Sequence, residues 1–237
     1  MSEAPLLVSL HLPKTAGTSF AETLRSASGG GYRDDYADVP MQYPAWQRRL
    51  HAMRGGLALR GRVPDDARCI HGHFLALKYR IALGARPARW ITWMRDPVQR
   101  LASHYAFWRR DYDGSDPTQP LRNRVLREDW SFERFALGPE LRNVYRQYLW
   151  GFDPERFDFI GITEHYQADL ERLARRLGWE TVAAAALVNP ERGEAGYDID
   201  PALAERIRRY HAADVGLYRW ALARREGMAG QGPSRRP

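Results

Sequence analysis

The chain of 237 residues has one cysteine, Cys69, which excludes an internal disulfide and a zinc cluster built on cysteine. It has no apolar run of membrane-spanning length, and Met1–Pro5 lacks the charged-then-apolar layout of a signal peptide. These absences predict a cytoplasmic protein without stable membrane insertion. No repeat and no heptad pattern is present, and the length suits one α/β domain over residues 1–226. The Gly/Pro/Arg/Ser-rich stretch 227–237 reads as a disordered tail. Lysine is nearly missing: of 36 basic residues, all but Lys14 and Lys78 are arginine. A lysine kept in so arginine-biased a chain points to a place where a compact ammonium is wanted. The net charge of +7 favours an anionic partner such as a nucleotide, an acidic or sulfated sugar, nucleic acid or a membrane surface. Arginine merely decorating the surface would give the same number.

What is present is organised around Leu6–Thr23. A short apolar run (Leu6, Leu7, Val8, Leu10) gives way to Pro13, Lys14, Thr15, Ala16, Gly17, Thr18 and Ser19, after which Phe20, Ala21 and Leu24 begin a helical spacing. Such a strand–loop–helix junction aims backbone N–H groups and the positive end of a helix dipole at one point. Small residues let an anion approach the main chain, and Lys14, Thr15, Thr18 and Ser19 add polar donors. The parts suit a phosphate or sulfate. They do not form the nucleotide-binding pattern G-x-x-x-x-G-K-[ST], because Lys14 precedes the one glycine of the loop.

Residues 29–66 read as an insertion on the ligand side of the sheet, with a helix over Tyr43–Met53 and with Arg48 among several arginines that suit an acidic acceptor. A strand then runs into His71-Gly72-His73, which puts two imidazoles on one face if the chain stays extended. No nearby side chain completes a metal set, so we expect no metal. An imidazole at a strand end can take a proton from a hydroxyl. Trp90–Met94 reads as a central strand that ends in Arg95-Asp96-Pro97, a capped helix start. Val98, Leu101, Tyr105 and Trp108 form its buried stripe, with Gln99, Arg100, Ser103 and Phe107 on the opposite face. Arg95 and Ser103 could thus bracket a phosphate together. Asp111–Asp129 reads as a surface excursion. Trp130–Leu137 and Glu140–Trp150 read as helices, Phe157–Ile162 as a strand, and Glu164 as a carboxylate at the start of the next helix.

Two of these segments carry a resemblance. Pro13–Ser19 resembles the 5′-phosphosulfate loop, and R-D-P-V-Q-R-L-A-S-H-Y from Arg95 the 3′-phosphate motif, of sulfotransferases that use 3′-phosphoadenylyl sulfate (PAPS). The His-Gly-His further resembles heparan-sulfate 2-O-sulfotransferases, so the chain looks like a soluble, bacterial-type carbohydrate sulfotransferase. The resemblance covers about 6–24 and 69–108 and extends more weakly beyond. It implies a three-layer, P-loop-like α/β fold with a mostly parallel sheet and PAPS as cofactor. It implies Lys14, Thr15, Ala16, Gly17, Thr18 and Ser19 on the phosphosulfate, Arg95, Ser103 and Arg192 on the nucleotide, and Lys14 and His73 as catalytic residues. His71, Arg48 and Arg142 would touch a hydroxyl-bearing acceptor, most simply a carbohydrate, and nucleic acid would not be a partner. Two readings compete. One is an ATP- and Mg²⁺-dependent small-molecule kinase, and the other a basic polyanion-binding module without catalysis.

Overall fold

The structure, a computed structural model, describes residues 5–41, 43–110, 112–179 and 196–229. Five strands form one sheet: β1 (Leu6–Leu10), β2 (Tyr32–Asp35), β3 (Cys69–Gly72), β4 (Ala88–Met94) and β5 (Phe159–Ile162), in the order β2-β3-β1-β4-β5. Every pairing is parallel, with Leu10 opposite Gly72 on one side and Thr92 on the other. The carboxyl ends of β3, β1 and β4 therefore lie side by side.

Alternation along the strands decides which side chains meet which helices. Leu6, Val8 and Leu10 point to one face with Ile70, Trp90, Ile160 and Ile162. There they pack against α3 (Ala76–Leu83), α7 (Val144–Tyr148) and α10 (Ala212–Ala229). Leu7, Cys69, Ile91, Trp93 and Phe159 point to the other face, against Phe20 and Leu24 of α1 (Gly17–Ser28) and Leu170 and Leu173 of α8 (Tyr166–Leu177). Both faces are covered, which is why the strands read as near-continuous apolar runs. Phe20 and Phe74 are fully buried, each contributing about 1.5–3 kcal/mol by burial. A third apolar cluster joins α4 (Pro97–Arg109), α5 (Pro120–Arg127), α6 (Phe132–Ala136) and α9 (Pro201–Tyr210) beside the sheet. The result is the expected three-layer α/β fold.

Several expectations change. The presumed insertion 29–66 begins with an integral edge strand, since β2 pairs with β3 from Tyr32↔Cys69 to Asp35↔Gly72. Its helix, α2, runs over Ala45–Leu59. Polar Tyr-Arg-Asp-Asp hides this strand because only part of it is covered. The stretch 111–129 holds α5, whose Leu121 and Val125 are buried, rather than a plain surface excursion. Glu140–Trp150 is broken at Asn143 (φ 51), leaving a short turn over Pro139–Leu141 and α7. At the C-terminus α10 runs on to Ala229, into the stretch read as tail; residues 230–237 lie outside the described residues, as does Arg192. No helix among the described residues is long and apolar enough to cross a membrane.

Candidate active site

Three segments leave the sheet at the adjoining ends of β1, β3 and β4, and each carries one of the singled-out groups. The loop after β1 turns sharply: Lys14 (φ 65) and Ala16 (φ 79) both occupy the left-handed region. Helix α1 then starts at Gly17 with no side chain among the described residues capping it. Its leading N–H groups, of Gly17, Thr18 and Ser19, point at the loop, the arrangement an oxyanion needs. Thr15 does not join them, because its buried hydroxyl donates to the Leu12 carbonyl at 2.8 Å and closes the turn from inside. Gly17 is required by packing: a Cβ there would lie 1.6 Å from Nε2 of His11.

That contact introduces a residue the sequence analysis passed over. The His11 imidazole lies between the two other histidines, with ring centroids 5.1 Å from His71 and 4.1 Å from His73. Its Nδ1 is 3.1 Å from the Tyr36 hydroxyl. Burial, then the neighbouring His73, His71 and Lys14, hold its pKa well below the usual histidine range. A histidine three residues before Lys14, at the end of a buried strand, was the available signal.

The pair in His-Gly-His splits into different roles. His71 is 1% exposed, its Nδ1 lies 2.9 Å from the Ser9 hydroxyl, and burial lowers its pKa to about 3. It supports the sheet end as a neutral ring. His73 stands just past β3 and is only partly buried, with Nδ1 2.6 Å from the His11 carbonyl oxygen. A carbonyl only accepts, so Nδ1 carries the proton and Nε2 keeps a lone pair. Burial lowers the His73 pKa, and the hydrogen bond to His11 partly opposes this. The ring is therefore neutral at pH 7, as a general base must be. Gly72 between them is dictated by the edge strand, because a Cβ would sit 1.8 Å from the Asp35 carbonyl oxygen.

On the far side of β1, Arg95 follows β4 and Ser103 lies two turns into α4. Asp96 caps α4, accepting from the N–H groups of Val98 and Gln99 at 2.9 and 3.0 Å. This carboxylate is committed to the helix. Gln99 and Ser103 are partly exposed and Phe107 exposed, as the helical spacing requires. Arg100 is the exception: it is fully buried, and among the described residues its guanidinium has no hydrogen-bond partner. Lys14 reaches across to this helix, with Nζ 3.8 Å from the Phe107 ring centroid, one turn beyond Ser103. His104 on α4 feels the charges of both Lys14 and His73, which, after burial and Arg100, push its pKa well down. Lys14 and His73 thus both lie near α4, the helix that carries Ser103. The Arg95 guanidinium lies 5.9 Å from the Tyr197 ring, whose backbone is held at both N–H and C=O by the Gln99 amide.

The remaining candidates are less available. Arg48 is 2% exposed and spans α2 to α7, bonding Gln147 Oε1 and lying 2.7 Å from Met41 Sδ. Arg142 is exposed, but its guanidinium sits on the Tyr210 ring and carbonyl. Glu164 stands, as expected, in the helical turn Thr163–His165 that leads into α8, and its carboxylate accepts from the Asp96 N–H and the Tyr218 hydroxyl. Among the described residues no group of three or more His, Cys, Asp or Glu is placed to hold a metal ion.

No protein-family model matches the chain, and no curated protein does. Among solved structures the chain is similar to a sulfotransferase from Alicyclobacillus acidocaldarius, with 14% identity, a TM-score of 0.45, and coverage of 90% of this chain and 94% of that one. It is similar to mouse sulfotransferase SULT7A1 complexed with PAP, at 14% identity and a TM-score of 0.37 over 87% of this chain and 63% of that one. A third likeness, to the sulfotransferase domain of the Synechococcus PCC 7002 olefin synthase, has 16% identity and a TM-score of 0.31, covering 86% and 87%. At these identities the likenesses concern the course of the chain, and the chemistry of the cleft is decided by its own side chains.

Proposed function

We propose that this chain is a PAPS-dependent sulfotransferase that moves a sulfuryl group to a hydroxyl of a carbohydrate or related small acceptor. The observation that carries the reading is the His73 tautomer. Its Nδ1–H is tied to the carbonyl of His11, in the loop that holds Lys14, which leaves the lone pair on Nε2, and in this reading Nε2 serves as the base beside the start of α1. The donor's 5′-phosphosulfate would lie on the N–H groups of Gly17–Ser19, and its 3′-phosphate on Arg95 and Ser103. His73 Nε2 takes the hydroxyl proton as the acceptor oxygen attacks sulfur. An acceptor O–S bond forms, the bridging O–S bond of the donor breaks, and the electron pair leaves on the bisphosphate, where Lys14 offsets the growing charge. Positioning and preorganised charge supply the acceleration, as in phosphoryl transfer. Glycosaminoglycan 2-O specificity belongs to the same proposal, with Tyr36, 5.0 Å from the His73 ring, flanking the acceptor.

The test is transfer of radiolabelled sulfate from PAPS to a panel of sugars and small alcohols, with ATP and Mg²⁺ as the control donor. Sulfated product from wild type, and none from His73→Ala, is expected. Phosphorylated product, or turnover in His73→Ala equal to wild type, would overturn the reading.

A further inference from the structure

The peptide of Arg95 lies beyond the sheet. The last paired residue of β4 is Met94, opposite Ile162, so the ladder offers nothing to the N–H or C=O of residue 95. Both groups are nevertheless satisfied by one side chain. The Tyr145 hydroxyl accepts from the Arg95 N–H at 3.0 Å and donates to the Arg95 carbonyl at 2.7 Å. One proton and its lone pairs suffice for both bonds.

Tyr145 is itself held from behind. It is 0% exposed, and its backbone N–H, with that of Arg146, donates to the buried carboxylate of Asp214 at 3.0 Å. Asn143, in the left-handed region, accepts from the Asp214 N–H at 3.3 Å and donates its own N–H to His211 Nδ1 at 3.2 Å. The Nε2–H of His211 reaches the Ala136 carbonyl at 2.7 Å. The Arg100 guanidinium stands 5.6 Å from the Tyr145 ring centroid. Burial raises the Tyr145 pKa, so the phenol keeps the proton it donates. A residue serving apolar packing alone needs none of this.

We propose that Tyr145 is a positioning residue for nucleotide binding: by pinning both backbone groups of Arg95 it sets where the Arg95 guanidinium meets the 3′-phosphate. The proposal rests on the nucleotide reading given above. Nothing in the sequence motif around Arg95 points to it, because Tyr145 lies 50 residues further on.

Tyr145→Phe removes the hydroxyl and keeps the ring. In titrations of the full chain, its Kd for adenosine 3′,5′-bisphosphate should rise about tenfold, the scale of losing a buried hydrogen-bonding group, while that for adenosine 5′-phosphate changes less than about twofold. Equal weakening of both nucleotides, or of neither, would overturn the positioning role. A wild type that does not prefer the bisphosphate would overturn the Arg95 reading instead. Amide hydrogen exchange at Arg95 then decides Tyr145 without any ligand. It should be protected in wild type and accelerate at least about tenfold in Tyr145→Phe; unchanged exchange, or no protection in wild type, would overturn the proposal.

Discussion

The junctions β1–α1 and β4–α4 both run from a buried strand into a helix beside the cleft, yet they solve the helix start in opposite ways. Asp96 and Pro97 close α4 with a side-chain cap, so the leading N–H groups are already taken. At α1 no side chain among the described residues caps the helix, and two left-handed residues shape the loop before its leading N–H groups. In the proposed reading the capped junction would therefore hold a phosphate with side chains, Arg95 and Ser103, while the uncapped one offers main chain and dipole. This asymmetry suits a ligand with a reactive anionic group at one end and a plain phosphate at the other.

The largest effects should come from the uncapped junction and the base hung upon it. His73→Ala and Lys14→Ala are each expected to lower turnover by at least about 10²–10³, with bisphosphate affinity nearly intact in His73→Ala. Steady-state kinetics beside calorimetry checks both. Equal damage to affinity and turnover in His73→Ala would place His73 in the nucleotide site.

Acid should act next. The proposed base must be neutral to act, and with the His73 pKa lowered by burial the acidic limb of kcat/KM should fall below the ordinary histidine value. A limb centred at or above about 6.5 would contradict the buried tautomer. Stability follows the same sign. His71 and His211 have folded pKa values of about 3 and about 4, so below the unfolded value of about 6.5 the unfolded chain binds more protons. Stability is full above that pH and is lost progressively as the pH falls toward 4. A thermal midpoint constant from pH 7 to 4 would refute this.

Smaller changes test the two helix starts themselves. Asp96→Ala should cost about 0.5–2 kcal/mol of stability while leaving the phosphosulfate loop competent. Ala16→Gly, which relieves a left-handed alanine, should hold or raise stability by up to about 1 kcal/mol. Chemical denaturation of both variants reads the difference, and a destabilised Ala16→Gly would show that the left-handed turn is not held at residue 16.

The α/β class, four of the five strands and the segments around Lys14, His73 and Arg95 were legible because each is a local pattern: an apolar run, a turn, a cap. What escaped was set by distant partners. Tyr32–Asp35 became a strand through pairing with β3, although its own residues are polar. Arg100 looked solvent-facing by helical spacing, yet α4 is covered by α6, α9 and α10 and the residue is buried. Thr15 looked like a ligand donor, but the loop needed its hydroxyl for its own closure. Tyr145 and Glu164 reach the β4–α4 junction from far along the chain, where no spacing rule applies.

The most direct test is isothermal titration of the purified chain with adenosine 3′,5′-bisphosphate in the presence of EDTA, beside the Lys14→Met and Arg95→Met variants. One site per chain, bound without metal and weakened in both variants, is the predicted result. No binding, or binding that appears only when Mg²⁺ and ATP are supplied, would contradict a single nucleotide held between the two junctions.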